Sequence, residues 1–425
     1  MCYVRVRGLH LTREEEDMLK SDDWLTRRCM EYLIKYGEAA GAERLVDIDG
    51  NVVIPTYSTT IPQLGIDITS PDLYGKRVKA FTISRDYGVT KGWEDIGIPP
   101  WNDPEYVKQQ EQNMKHWMRL GVHPVNSCAY YLIQTYKPTA GQYCSWHESS
   151  AVPYGNAILG ARVNFDLGAE FAIAYTGKAP AYDMRVEENR VATRLVKCET
   201  QLKTDMDYDL FGWAVGEAVG VEVPVMTGLG KPTQTQIIKM NTSLNTGGQV
   251  RMYHVPGLTP EASTVEQALK GRKPVETIKI TREDLKKVYE KMNRASNENV
   301  DFVYLGCPFY SLGELRRVVY YLEGKKCKAN LWVVVDDWTF EIAEKMGYRD
   351  AIKRAGGVLL SGACACVRTG VPPNTDVMAT DACKQNYYIT GRYYPRKLEV
   401  WYGTMEECLE AAITGKWRGK WPGGE

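Results

Sequence analysis

The feature that most constrains the fold is a regular alternation of strand-like and helix-like segments over the last third of the chain. Residues 300–305 (VDFVYL), 329–335 (ANLWVVV), 357–360 (GVLL), 376–379 (DVMA) and 398–402 (LEVWY) are short apolar runs, mostly rich in β-branched and aromatic residues. Between them, residues 312–322, 340–355 and 404–413 carry apolar side chains at helical spacing, and a helix or turn is expected near Lys384. A strand that returns parallel to its predecessor needs a crossover, which a helix lying on the sheet supplies. The alternation therefore predicts a doubly wound, largely parallel α/β sheet.

In open sheets of this class the ligand sits off the carboxyl ends of the strands. Cys307 directly follows the first strand-like run, Cys364 and Cys366 follow GVLLSGA, and Lys384 follows 376–379. All are expected along one edge of one sheet. In Gly306-Cys307-Pro308 the glycine permits a tight turn and the proline has no N–H to satisfy, so the thiol is displayed at the strand end. A buried turn cysteine has the same local sequence. Cys2, Cys29, Cys198, Cys327 and Cys408 read as small buried hydrophobes.

The rest of the chain is less regular. Residues 12–42 read as helical, with Thr12 and Glu15 as a capping box. Residues 45–57 and 78–84 have strand character, and 103–120 are helical. Residues 235–255 read as a polar turn, NTSLNTGGQ, followed by a strand, VRMYHV. The expected organisation is an N-terminal α/β region over 1–125, a central region over 126–275 and the doubly wound domain over 276–425.

Charge narrows the function. The 53 basic and 53 acidic residues cancel, which argues against a partner held by a broad field, such as nucleic acid or an anionic membrane. The apolar runs are too short to span a bilayer and the first 15 residues are charged, so a cytoplasmic protein with a small-molecule ligand is expected. In that compartment the 11 cysteines stay reduced, and those in special backbone settings read as metal ligands or nucleophiles. A cluster on three thiolates leaves one iron open to a substrate hydroxyl, and the ligands can come from separate loops. Cys128, Cys307 and Cys364 are the candidate set.

Residues 145–164 (SWHESSAVPYGNAILGARVN), followed by TGKAPAY at 176–182 and Glu188-Asn189-Arg190, resemble the core signature of the aconitase X family, approximately WSESSAV, NSxLGARTN and a later ENR. SCAYYLI at 127–133 resembles the family's TCTPYLI, and LGCPFYSLGEL at 305–315 resembles LGCPHxSxxEL. Gly362-Ala363-Cys364 lies where the family has DTC, and the resemblance spans residues 11–415. It implies an aconitase-like fold, several α/β/α domains with largely parallel doubly wound sheets around a central cleft. It also implies an iron-sulfur cluster on three cysteines, and removal of water from a small β-hydroxy-carboxylate such as cis-3-hydroxy-L-proline or mevalonate 5-phosphate. The family's glycine- and serine-rich swivelling domain is fused or separate. With this chain ending at Glu425, a small partner subunit is expected to supply it, including a serine base.

Within the resemblance, Glu148 beside Trp146 and His147 suits a tuned acid or base, and Ser149 and Ser150 suit substrate hydrogen bonding or proton relay. Either serine would also serve as a helix cap. Arg162 and Lys384 suit a carboxylate or phosphate clamp, with an interdomain ion pair the other reading of Arg162. Asn156, Asn164 and Asn189 would orient the ligand, His147 would face substrate or sit in the core, and Tyr57 and Ser58 lie near the family's serine-tyrosine substrate segment.

The chain also departs from the pattern. Phe309 replaces the histidine of CPH, and Asp381-Ala382-Cys383-Lys384 replaces NSGK, so Cys366 or Cys383 competes with Cys364 as a ligand. Residues 92–117, containing GWEDIGIPPWND, form an added loop over the pocket or a contact between domains. These departures leave two other readings open, a non-catalytic ligand- or cluster-binding sensor and an enzyme using Cys307 as a nucleophile.

Overall fold

The computed structural model describes residues 8–85, 88, 90–97, 100, 103–133, 137–366, 370–391 and 396–422. Strands β1 (Asn51–Ile54), β2 (Phe81–Ser84), β3 (Val122–His123), β4 (Tyr143–Ser145) and β5 (Arg162–Asn164) form one sheet in the order β3-β2-β1-β4-β5. All its neighbours are parallel. Strands β6 (Arg194–Cys198), β7 (Pro224–Thr227) and β8 (Glu276–Ile280) form a second parallel sheet, ordered β7-β6-β8.

Strands β9 (Phe302–Leu305), β10 (Asn330–Val335), β11 (Gly357–Ser361), β12 (Val377–Thr380) and β13 (Glu399–Tyr402) form the third, ordered β11-β10-β9-β12-β13 and again parallel. This is the doubly wound sheet expected from the alternation. Its central strands β9 and β12 are buried at every residue, as strands covered by helices on both faces must be.

The first and third sheets share one winding. In each, the chain lays three strands toward one edge, returns to the centre and lays two toward the other. The switch points therefore lie between β1 and β4 and between β9 and β12. The boundary expected at residue 125 falls inside the first sheet, because β4 and β5 pair onto β1 beyond it.

Residues 235–255 differ from the polar turn and strand expected of them. Gln234–Gly248 is one helix, started by a capping box of Thr233 with Gln236. It packs backbone to backbone on the helix Asp205–Val219, where a Cβ on Gly248 would stand 1.9 Å from the Gly216 carbonyl oxygen. Asn241, Thr242 and Ser243 are all buried, Ser243 donating to Asp209 of the facing helix and Asn241 accepting from the Tyr253 hydroxyl, so polar residues that look like a turn stand in a buried helix. Gln249 caps that helix in the left-handed conformation (φ +61°), and residues 250–255 form no strand but make one parallel bridge, Val225 to His254.

The described part of the 92–117 segment joins the first and third units. Trp93, Ile96 and Tyr106 pack on the third unit's apolar cluster, and Asp95 pairs with Arg349 and Lys353. Gly92 (φ +79°) permits the approach, since a Cβ there would lie 2.3 Å from the Leu359 carbonyl oxygen. Residues 98, 99, 101 and 102 lie outside the described residues, as does Cys2. Among the described residues no helix is long and apolar enough to cross a membrane.

Candidate active site

The loops that leave the two switch points meet at a cleft of about 550 Å³, lined by Arg85, Glu148, Ser149, Arg251, Cys366 and Lys384 among others. Glu148 leaves β4 with φ +88°, a left-handed conformation that a non-glycine residue adopts only when its surroundings hold it. They do so on both sides. Trp146 Nε1 donates to Asn51 Oδ1 at 2.6 Å, the Tyr130 hydroxyl donates to the His147 carbonyl, and His147 Nε2 contacts the buried Glu170 carboxylate.

The Glu148 carboxylate lies between two cations, Arg85 Nη1 at 2.8 Å and Lys384 Nζ at 2.7 Å. Arg85 immediately follows β2 and Lys384 lies four residues beyond the end of β12, so three strands from two sheets build the triad. Burial alone would raise the Glu148 pKa, but Lys384 and Arg85 outweigh it and hold the carboxyl at about 2. Burial likewise opposes the Lys384 ammonium, yet Glu148 and the nearby thiols keep its pKa well above the ordinary lysine value. Both groups are charged at neutral pH.

Beside this triad stand four cysteines. The Phe309 N–H donates to Cys128 Sγ at 3.4 Å, which ties the first unit's cysteine to the turn carrying Cys307. The Cys366 thiol lies within hydrogen-bonding reach of Cys307 and Cys364 and donates to Gln385 Oε1 at 2.5 Å. Burial holds the Cys128 and Cys366 thiols protonated, and a coordinated metal reverses that preference because a bound thiol is deprotonated outright. Among the described residues no set of three or more His, Cys, Asp or Glu closes around a single ion, whereas the thiolates of a cluster bind different irons.

The two competitors for Cys364 part company. Cys366 lines the cleft, while Cys383 is buried in the second unit's core. Phe309, in the place of the family histidine, is buried and serves the site through its backbone.

The remaining candidates are dispersed. Ser149 lines the cleft, and its buried hydroxyl has no partner among the described residues. Ser150 is buried near the Tyr131 hydroxyl, and although it starts the helical turn Ala151–Pro153 its side chain makes no capping bond. Asn156 spends its amide on Val163 and the Arg251 carbonyl, with Arg190 donating to its oxygen. Asn164 holds Tyr182 and Met184. Asn189 donates to the Asp183 carbonyl. Arg162 is paired with Glu187 and Glu261. Tyr57 and Ser58 line a different hollow of about 260 Å³, with Ile61, Trp117 and Leu167.

Two cations of the cleft, Arg85 and Arg251, were not singled out in the sequence. The rule that placed Cys307 and Lys384 at strand ends applies equally to Arg85, which ends the strand-like run 78–84. Arg251 carried no such signal, because the segment around it is not a strand.

Comparison with known proteins bears on this geometry. Family models for the first, second and third domains of aconitase X match residues 8–188, 192–290 and 300–414. The chain belongs to the aconitase X family. It is 30% identical over 416 residues to the phosphomevalonate dehydratase large subunit of Methanocaldococcus jannaschii, covering 95% of this chain and all of that one. It is 28% identical to the cis-3-hydroxy-L-proline dehydratase of Hypocrea jecorina, across 93% of this chain and 67% of the relative. The crystal structure of Thermococcus kodakaraensis aconitase X in its holo form superposes with a TM-score of 0.78 at 29% identity, covering 95% of this chain and all of the other. As an aconitase X protein the chain is a hydro-lyase, and the three matched domains are centred on the three parallel sheets.

Proposed function

We propose that the cleft dehydrates a small anionic β-hydroxy-carboxylate, of the class of mevalonate 5-phosphate or cis-3-hydroxy-L-proline, in the cytoplasm. The reaction uses an iron-sulfur cluster on Cys128, Cys307 and Cys364, and a small swivelling-domain subunit closes the site. The observation that carries this reading is the Arg85–Glu148–Lys384 triad, set beside the gathered cysteines where two switch points meet. Relatives named as large subunits support a separate partner.

A cluster with one open iron, when bound, supplies the Lewis acid for a departing hydroxide. The chain's own residues bind and orient. Arg85 and Lys384 place two cations on the wall of the cleft, where an acid group of the substrate can bind. Lys384 and Arg85 hold the Glu148 carboxyl below the ordinary glutamate range, so Glu148 keeps the two cations in place, and a serine of the partner, as its alkoxide, takes the α-proton. Ser149 hydrogen-bonds the substrate with its free hydroxyl, and Ser150 stands behind it. Asn156, Asn164 and Arg162 stiffen the 156–164 segment, while His147 fixes the backbone that presents Glu148.

The test is anaerobic co-expression with a candidate small-subunit gene, followed by iron and acid-labile sulfide analysis. Incubation with mevalonate 5-phosphate and with cis-3-hydroxy-L-proline should then show loss of one water from one of them by mass spectrometry. A colourless, iron-free complex that leaves both compounds intact rejects the proposal. Full turnover by this chain alone rejects the partner.

A further inference from the structure

The helix Cys383–Thr390 carries Lys384 in its first turn, yet its N-cap residue, Ala382, has no side-chain acceptor for the free N–H groups there. The acceptor comes from another unit. Asp209, on the helix Asp205–Val219, takes the Cys383 N–H on Oδ2 at 2.9 Å. The same carboxylate accepts from the Tyr402 hydroxyl at 3.0 Å and from the Ser243 hydroxyl. A carboxylate at this end of a helix also faces the favourable end of its dipole.

The residue before the cap is held as well. Lys239, on the helix Gln234–Gly248, donates through Nζ to the Asp381 carbonyl at 2.9 Å and to Asp381 Oδ2 at 2.7 Å. The Tyr310 hydroxyl donates to that same oxygen at 2.6 Å. Asp209 is 1% exposed and Lys239 is 4% exposed, and among the described residues neither lines the cleft. A buried ion pair is a weak source of net stability, since desolvation offsets the attraction, whereas it does fix the relative position of what it joins.

We propose that Asp209 and Lys239 are positioning residues for Lys384. They grip the 381–383 segment from the second unit, so that the first turn of its helix holds the Lys384 ammonium against Glu148. The inference rests on the reading that Lys384 works in the cleft, but it concerns how that lysine is held.

The test compares Asp209→Ala, Lys239→Met and Lys239→Arg with the wild type, each as the complex with its partner. Three quantities are read: amide exchange of residues 383–386, the rate at which acetic anhydride modifies Lys384, and kcat and KM with mevalonate 5-phosphate. A lost cap or charged hydrogen bond is worth about 1–2 kcal/mol, so exchange and acetylation should accelerate about tenfold in Asp209→Ala and Lys239→Met. In both, kcat should fall more than KM rises while iron content stays constant, and Lys239→Arg should recover part of the loss. If Asp209→Ala does not fold, Asp209→Asn keeps the volume and one acceptor oxygen, and an intermediate acceleration is expected. Unchanged exchange and acetylation at Lys384 overturn the proposal. So does equal acceleration at Lys178, which is buried in the first unit and marks general loosening. If the wild-type complex shows no turnover, the exchange and acetylation results still decide the question, so this inference and the functional reading fail separately.

Discussion

Glu148 and Lys384 join their side chains at 2.7 Å although 236 residues separate them in the chain. Each follows a strand at the switch point of its own sheet, Glu148 after β4 and Lys384 after β12. Two open sheets with the same winding thus point their ligand-binding ends at one cleft. The pair is the covalently distant, spatially short connection on which the site depends.

Lys384→Met leaves Glu148 buried with Arg85 as its remaining cation. Removing one partner of a buried, charge-assisted hydrogen bond should lower stability by about 1–3 kcal/mol, measured from the urea midpoint. The same change should reduce kcat/KM for dehydration about 100-fold, in the range seen when one preorganised electrostatic group is removed. A variant with wild-type turnover would show that Lys384 does not touch the substrate.

Acid should weaken the fold through Glu148 in a defined window. Its folded pKa is depressed to about 2 from an ordinary 4.5, so its contribution is fully present above 4.5 and is lost as pH falls through 2. Glu148→Gln lacks that contribution at every pH. The stability gap between wild type and variant, read by denaturant titration, should therefore be widest at neutral pH and close between 4.5 and 2. A gap that is constant with pH contradicts the ion-pair account.

The cysteines divide by place. Cys307→Ala and Cys364→Ala should lose iron after anaerobic reconstitution, measured as iron per chain and visible absorbance. Cys383→Ala should keep it, because that side chain lies in the second unit's core rather than in the cleft. Normal iron in Cys307→Ala together with lost covalent labelling favours the nucleophile reading instead.

Gly92→Ala should loosen the contact between the first and third units. The new Cβ would meet the Leu359 carbonyl oxygen at 2.3 Å, on top of the cost of a left-handed backbone. Gly41, at φ +73° with nothing within 4 Å of its Cβ position, bears only the backbone cost. Thermal unfolding should show Gly92→Ala below Gly41→Ala, and Gly41→Ala about 1–2 kcal/mol below wild type. Equal midpoints for the two variants would count against a tight contact at Gly92.

Much of the third unit was legible because its strands are short apolar runs buried on both faces, which leaves a signal in any window that contains one. The strand-end rule then located Cys307, Cys364 and Lys384 without knowledge of what faced them. It stopped working where burial was polar. Asn241, Thr242 and Ser243 look like turn residues and are buried in a helix that glycines at 212, 216, 247 and 248 let approach its neighbour closely. Asn156 and Asn164 look like ligand residues and are consumed by the fold's own amides and carbonyls. A hydrogen-bonding side chain carries no local mark that says whether its partner is a substrate or the backbone.

What the sequence by itself determined is the class of the protein: parallel α/β sheets from the period of its apolar runs, and aconitase X membership from its signature segments. Only the tertiary structure decided which charges share a site. That Arg85 and Lys384 converge on Glu148, that Cys366 faces the cleft while Cys383 turns away, and that Asp209 caps a helix of another unit follow from how three sheets pack. Periodicity is a property of neighbours along the chain. Electrostatic pairing depends on distances between residues that the chain keeps far apart.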